Sequence, residues 1–136
     1  MEILFKVKNS TGIITLNRPK ALNALSLNMA IQLSNKLKEW ENDNTVERVL
    51  LLGEGKHFCA GGDVKNVHLS GPFSKLKREF FSKEYSLNLQ IKNFPKPYLS
   101  IWKGVVMGGG VGLSIYGDYR IATDSTKFAM PETSIG

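Results

Sequence analysis

The chain opens on alternation. Ile3 to Val7 places apolar residues at every second position, and Ile13 to Leu16 repeats an extended apolar run after Gly12. This pattern predicts two strands joined as a hairpin, with Gly12 marking the turn. NRPKALNAL (Asn17 to Leu25) then reads as a polar connection containing a proline. From Ser26 the period changes to three and four: Met29, Ala30, Leu33, Leu37 and Trp40 share one side of a helix that Ser26 can cap. ENDNT (Glu41 to Thr45) ends that helix, and Val49 to Leu52 reads as a largely buried strand broken by Gly53 and Gly55.

A second long helix is expected from Phe73 to about Asn93, with Phe73, Leu76, Phe80, Leu87 and Ile91 as its apolar stripe. Glu84 interrupts the stripe. A carboxylate on an inward line is costly without a partner, so either Glu84 has one or the helix bends near Ser82. Tyr98 to Ile101 gives another strand, and Gly104 a turn. VMGGGVG (Val106 to Gly112) follows, then a short buried helix over residues 111–117. YRIATD and KFAM read as short extended segments. Strands alternating with helices predict an α/β or mixed layered domain. No repeat of solenoid period is present.

Composition changes this picture little. The 136 residues are 42% hydrophobic and 22% charged, which fits one soluble globular domain. A single cysteine, Cys59, rules out an internal disulfide. No apolar run approaches the ~20 residues of a membrane-spanning helix, and MEILFKVKNS does not resemble a signal or transit peptide. The reading is therefore a cytoplasmic protein, with mitochondria left open, and no membrane partner. The net charge of +6 favours anionic partners. No basic tail, zinc-finger spacing or aromatic-basic repeat points to nucleic acid. A small ligand carrying several phosphates answers the charge, and so does a solvated basic surface.

The chemistry lies in two side-chain-poor turns, CAGGD (Cys59 to Asp63) and Gly108 to Gly110. GGGVGL lacks the last glycine of the dinucleotide fingerprint, having Leu113 there, and no phosphate-loop sequence occurs. Missing side chains instead let a ligand carbonyl approach backbone N–H groups at helix starts. Gly62 N–H and Gly109 N–H are the candidate pair for holding an oxyanion, where one lost donor costs about 3 kcal/mol, or roughly 100-fold in rate. Close packing and turns needing positive φ account for the same glycines. His57 and Cys59 suggest a thiol hydrolase, but Cys59 between Phe58 and Ala60 suits a buried small hydrophobe. His57 and His68 read as turn residues, and no ligand spacing supports a metal. Asp63 suits a helix cap. Glu132, beside Phe128, Ala129 and Met130, is a candidate base whose pKa burial would raise, or an ordinary residue of a helix start.

In order along the chain, NRPKALNAL, GKHFCAGGDV, GVVMGGGVGLS and FAMPETSIG resemble the crotonase (enoyl-CoA hydratase/isomerase) superfamily, and within it the branch that hydrolyses 3-hydroxyisobutyryl-CoA. The resemblance spans essentially the whole chain. It implies a crotonase-like superhelix of β-β-α turns, with residues 1–136 as an incomplete core domain. It implies an acyl-CoA thioester substrate, with coenzyme A as part of that substrate and no separate cofactor. Gly62 and Gly109 then supply the two oxyanion amides, and Lys20, Ala21, Leu22, Asn23 and Ala24 help hold the CoA moiety. Glu132 attacks the thioester or activates water, and Glu84, next to Tyr85, contacts the acyl group. The hydratases carry a further glutamate just after the glycine triplet, where this chain has Gly112. That favours hydrolysis in valine breakdown. Enoyl-CoA isomerisation or hydration, and non-catalytic acyl-CoA binding, are the alternatives. Members of the branch continue past the PET motif into a Phe-Pro-Asp segment and oligomer-forming helices, so the 136 residues alone are expected to be inactive, and a homo-oligomer is expected only of a longer chain.

Overall fold

The computed structural model describes residues 1–62 and 75–129. Strand β1 (Ile3–Lys8) pairs antiparallel with β2 (Thr11–Leu16). The turn between them is Asn9–Ser10, not Gly12: both residues have positive φ, 52° and 62°, as a two-residue hairpin turn following the strand twist requires. Gly12 lies inside β2. Its place is set by Trp40, whose ring carbons would stand 2.6 Å from a Cβ there.

Helix α1 (Leu27–Glu41) starts where Ser26 caps it, the Met29 N–H donating to Ser26 Oγ at 3.1 Å. Its buried face holds Met29, Ala30, Leu33, Leu37 and Trp40, as the spacing indicates, and also Ser34. Each fully buried leucine contributes about 1.5–3 kcal/mol. Beyond the last turn, the Lys96 ammonium donates to the carbonyls of Trp40, Asp43 and Val46, placing one cation at the negative end of the helix.

Strands β3 (Arg48–Gly53), β4 (Tyr98–Trp102) and β6 (Tyr119–Ala122) extend the sheet in the order β1-β2-β3-β4-β6, parallel from β2 onward. Register aligns Gly12 with Val49 and Tyr98, and Ile14 with Leu51 and Ser100, so two inward rows cross three strands. Helix α2 (Lys75–Lys92) packs on α1 and buries Phe80, Leu87 and Ile91. It continues through Ser82 without a break. Leu76 is exposed at 40%, and Phe73 lies outside the described residues.

A second layer runs beside this sheet. Strand β5 (Val105–Met107) pairs in parallel with β7 (Lys127–Ala129), Cys59 bridges to Val106, and Gly62 bridges to Leu25. Successive strand-strand-helix units thus place one strand in the large sheet and one segment in the small layer. Helix α3 is Gly109–Gly112, which corrects the expected helix over residues 111–117. Residues 113–116 form turns instead. The helix begins within the glycine triplet because its first turn has to press against neighbouring backbone.

Candidate active site

Each glycine of the triplet answers a different need. Gly108 has φ 47° and ψ −114°, a backbone conformation that a side chain would obstruct. Gly109 faces the other turn: a Cβ there would lie 2.9 Å from Glu84 Oε1, 3.1 Å from Gly62 N and 3.2 Å from the carbonyl carbon of Gly61. Gly110 packs on Cys59, where a Cβ would come 2.5 Å from the Cys59 carbonyl oxygen and 2.8 Å from its Cβ. Two of the three are thus spatial requirements and one is conformational.

The opposing turn, residues 59–62, is clamped on both sides. Cys59 N–H donates to the Val105 carbonyl (3.1 Å) and Met107 N–H donates to the Cys59 carbonyl (3.0 Å). On the other side Leu25 N–H donates to the Gly61 carbonyl (2.7 Å) and Ala60 N–H to that of Leu22 (3.0 Å). In a parallel bridge of this kind the Leu25 backbone makes the bonds, and the Gly62 N–H points away from it. Gly61 has φ 118°, which lets the chain turn sharply without a side chain in the way.

These clamps bring two amides together. Within a residue, N and Cβ are about 2.5 Å apart. With Gly62 N 3.1 Å from the Gly109 Cβ position, the two nitrogens therefore stand within about 5.6 Å of each other. A single oxygen accepting from two donors at about 2.9 Å needs them no more than about 5.8 Å apart. Among the described residues neither amide has a hydrogen-bond acceptor, and Gly109 is in the first turn of α3, where N–H groups have no intrahelical partner.

Helix α2 supplies the side-chain wall. Phe80 is buried, its ring 2.8 Å from where a Cβ of Gly62 would be, and the Glu84 carboxylate reaches both turns. Glu84 is half-buried and lines a cavity of about 440 Å³ with Gly62, Gly109, Phe80 and Asn88. The defect in the apolar stripe of α2 is thus a carboxylate directed at the glycine turns. Gly112 borders the same cavity, and a Cβ there would meet the Asn88 carboxamide at 2.6 Å. Sequence reasoning passed over Asn88. The signal was its position four residues after Glu84, on the same helical face.

Other candidates fall into structural roles. Cys59 is fully buried, and loss of solvation pushes its thiol up to about 12, with the nearby Glu84 charge adding to the shift. A thiol held protonated is not a nucleophile, so the thiol-hydrolase reading does not stand. His57 Nδ1 accepts from the Val105 N–H at 3.0 Å and so fixes the turn against β5. In the segment Lys20–Ala24, Pro19–Ala21 form one 3-10 turn, and Leu22 and Asn23 have positive φ, 52° and 57°. Asn23 is buried: its Oδ1 accepts from Arg18 N–H (2.8 Å), and its Nδ2 donates to the carbonyls of Glu54 (2.9 Å) and His57 (2.8 Å). It holds the segment against the turn, while Leu22 is exposed. Asp63, His68 and Glu132 lie outside the described residues.

Comparison with known proteins agrees with this architecture. The chain is 49% identical to 3-hydroxyisobutyryl-CoA hydrolase, mitochondrial, of Danio rerio, over 99% of its own length and 36% of that protein's. It is 47% identical to the Homo sapiens protein of the same name over the same shares. The chain therefore spans just over a third of these relatives. Among solved structures, an enoyl-CoA hydratase from Rhodobacter sphaeroides superposes with a TM-score of 0.94 at 39% identity, covering 100% of this chain and 41% of that one. A carnitinyl-CoA dehydratase from Mycobacterium thermoresistibile gives 0.94 at 47% identity, covering 99% and 40%. The fold is the crotonase fold. Since the sequence model of the enoyl-CoA hydratase/isomerase family matches residues 11–136, the chain belongs to that family.

Proposed function

We propose that the protein carrying this chain hydrolyses a short acyl-CoA thioester, 3-hydroxyisobutyryl-CoA, to the free acid and coenzyme A. The observation that carries the reading is the approach of Gly62 N and Gly109 N to each other across one cavity that also holds the Glu84 carboxylate. The thioester oxygen accepts from both amides. As a nucleophile adds to the carbonyl carbon, negative charge gathers on that oxygen and the two donors stabilise it. Glu132 attacks the carbonyl carbon itself or takes a proton from the attacking water. The C–S bond then breaks, and the sulfur leaves and takes up a proton. Where Glu132 is the nucleophile, water cleaves the acyl–Glu132 anhydride to the free acid and restores the carboxylate, so one water is consumed on either route. Glu84 contacts the far end of the acyl group. In this reading the segment Lys20–Ala24, hydrogen-bonded to the turn through the Leu22 carbonyl, helps hold the CoA moiety.

Hydrolysis is favoured over hydration by residue 112. The second glutamate of the hydratase pattern is absent there, and Asn88 occupies the space its side chain would enter. Hydration of an enoyl-CoA is a second reading because Glu84 places another carboxylate in the cavity. The test is release of free thiol from 3-hydroxyisobutyryl-CoA by the full-length protein. Thiol release that is lost in Glu132→Ala supports hydrolysis. Consumption of a conjugated enoyl-CoA absorbance without thiol release supports hydration instead.

A further inference from the structure

Asn88 lies one helical turn beyond Glu84 and lines the same cavity. Gly112 faces it. A Cβ on Gly112 would fall 2.6 Å from Asn88 Nδ2, 2.9 Å from Oδ1 and 3.0 Å from Cγ, so the carboxamide fills the space where a side chain at 112 would begin. Asn88 Oδ1 is buried and receives no hydrogen bond from any described residue. Buried polar atoms are nearly always paired, and an exception calls for a reason.

The cavity's lining narrows that reason. Its polar side chains among the described residues are Glu84, Asn88 and Tyr116; the rest are glycines and apolar groups. No lysine, arginine or histidine belongs to the described lining, while Glu84 brings an anion. A carboxylate on the bound molecule would find no counter-charge among the described lining residues. A hydroxyl needs none: it donates to Oδ1 or accepts from Nδ2, and the carboxamide turns about its last torsion to suit.

Resting on the acyl-thioester reading above, we infer that Asn88 is the specificity residue that selects an acyl chain bearing a neutral hydroxyl over the same chain without one. Gly112 is what leaves the carboxamide its room.

The test measures binding of two non-hydrolysable thioether analogues of the acyl-CoA, identical except for the hydroxyl, to the full-length protein by calorimetry. The wild type prefers the hydroxylated analogue. Asn88→Leu lowers that preference about tenfold while affinity for the other analogue stays within about twofold. Gly112→Ala keeps Asn88 but pushes its carboxamide aside, and it lowers the preference in the same way. A wild type without preference, or a preference unchanged in both variants, overturns the inference. Thiol release is read separately in the wild type. Hydrolysis with a flat preference removes Asn88 and leaves the hydrolase reading, whereas an Asn88-dependent preference without hydrolysis does the reverse.

Discussion

Gly109 stands against Gly62: a side-chain carbon on Gly109 would lie 3.1 Å from the Gly62 amide nitrogen and 2.9 Å from Glu84 Oε1. A methyl group there enters the space between the two amides. Gly109→Ala in the full-length protein is expected to lower kcat/KM on the acyl-CoA substrate by about 100-fold or more, with an unchanged circular dichroism spectrum. Gly110→Ala behaves differently. Its methyl meets the Cys59 carbonyl oxygen at 2.5 Å, so it lowers thermal stability by about 1–3 kcal/mol through overpacking. Reversed outcomes for the two variants would contradict the assignment of distinct roles within the triplet.

Asn23 ties three backbone groups together from a buried position. Asn23→Ala leaves the carbonyls of Glu54 and His57 without their donor and places a Cβ-bearing residue that lacks asparagine's local hydrogen bonding at φ 57°. The expected loss is about 2–4 kcal/mol in denaturant unfolding. Affinity for coenzyme A falls with it, since the Lys20–Ala24 segment loses its anchor. A change below about 0.5 kcal/mol, the range of ordinary surface substitutions, would show that the anchor lies elsewhere.

Much of this was legible in the chain. Ser26 and the spacing from Met29 to Trp40 specify α1 because a cap and an apolar stripe are local signals. Glu84 stood out because it broke such a stripe, and the structure turns that break toward the glycines. What escaped depends on contacts distant in sequence. Gly12 reads as a turn until Trp40 is seen over it, and the start of α3 at Gly109 is set by the Cys59 and Gly62 backbones. The three carbonyls gathered by Lys96 come from residues about fifty positions away. Asn88 carries only its four-residue spacing from Glu84 as a signal, and its role emerges once Gly112 is known to face it.

Burial of two acids gives a pH dependence. The thiol of Cys59 is pushed from 9.0 up to about 12, and the phenol of Tyr98 is raised above its ordinary 10.0, both by loss of solvation. Both groups stay protonated in the folded chain after the unfolded chain has begun to release their protons. Above about pH 9 the unfolded state therefore binds fewer protons, and stability falls as pH rises, by at most about 1.4 kcal/mol per pH unit for each group. Urea unfolding between pH 8 and 11 measures it; a stability that rises over this range would contradict the burial. At pH 8 Cys59 stays unmodified by iodoacetamide in the folded protein and reacts once urea unfolds it.

The most direct measurement is a structure of the full-length protein with a bound acyl-CoA thioester, trapped by Glu132→Ala. The carbonyl oxygen is expected 2.7–3.1 Å from both Gly62 N and Gly109 N, the range of a working oxyanion site. A carbonyl that lies beyond about 3.5 Å from either nitrogen, outside hydrogen-bond range, would contradict the account.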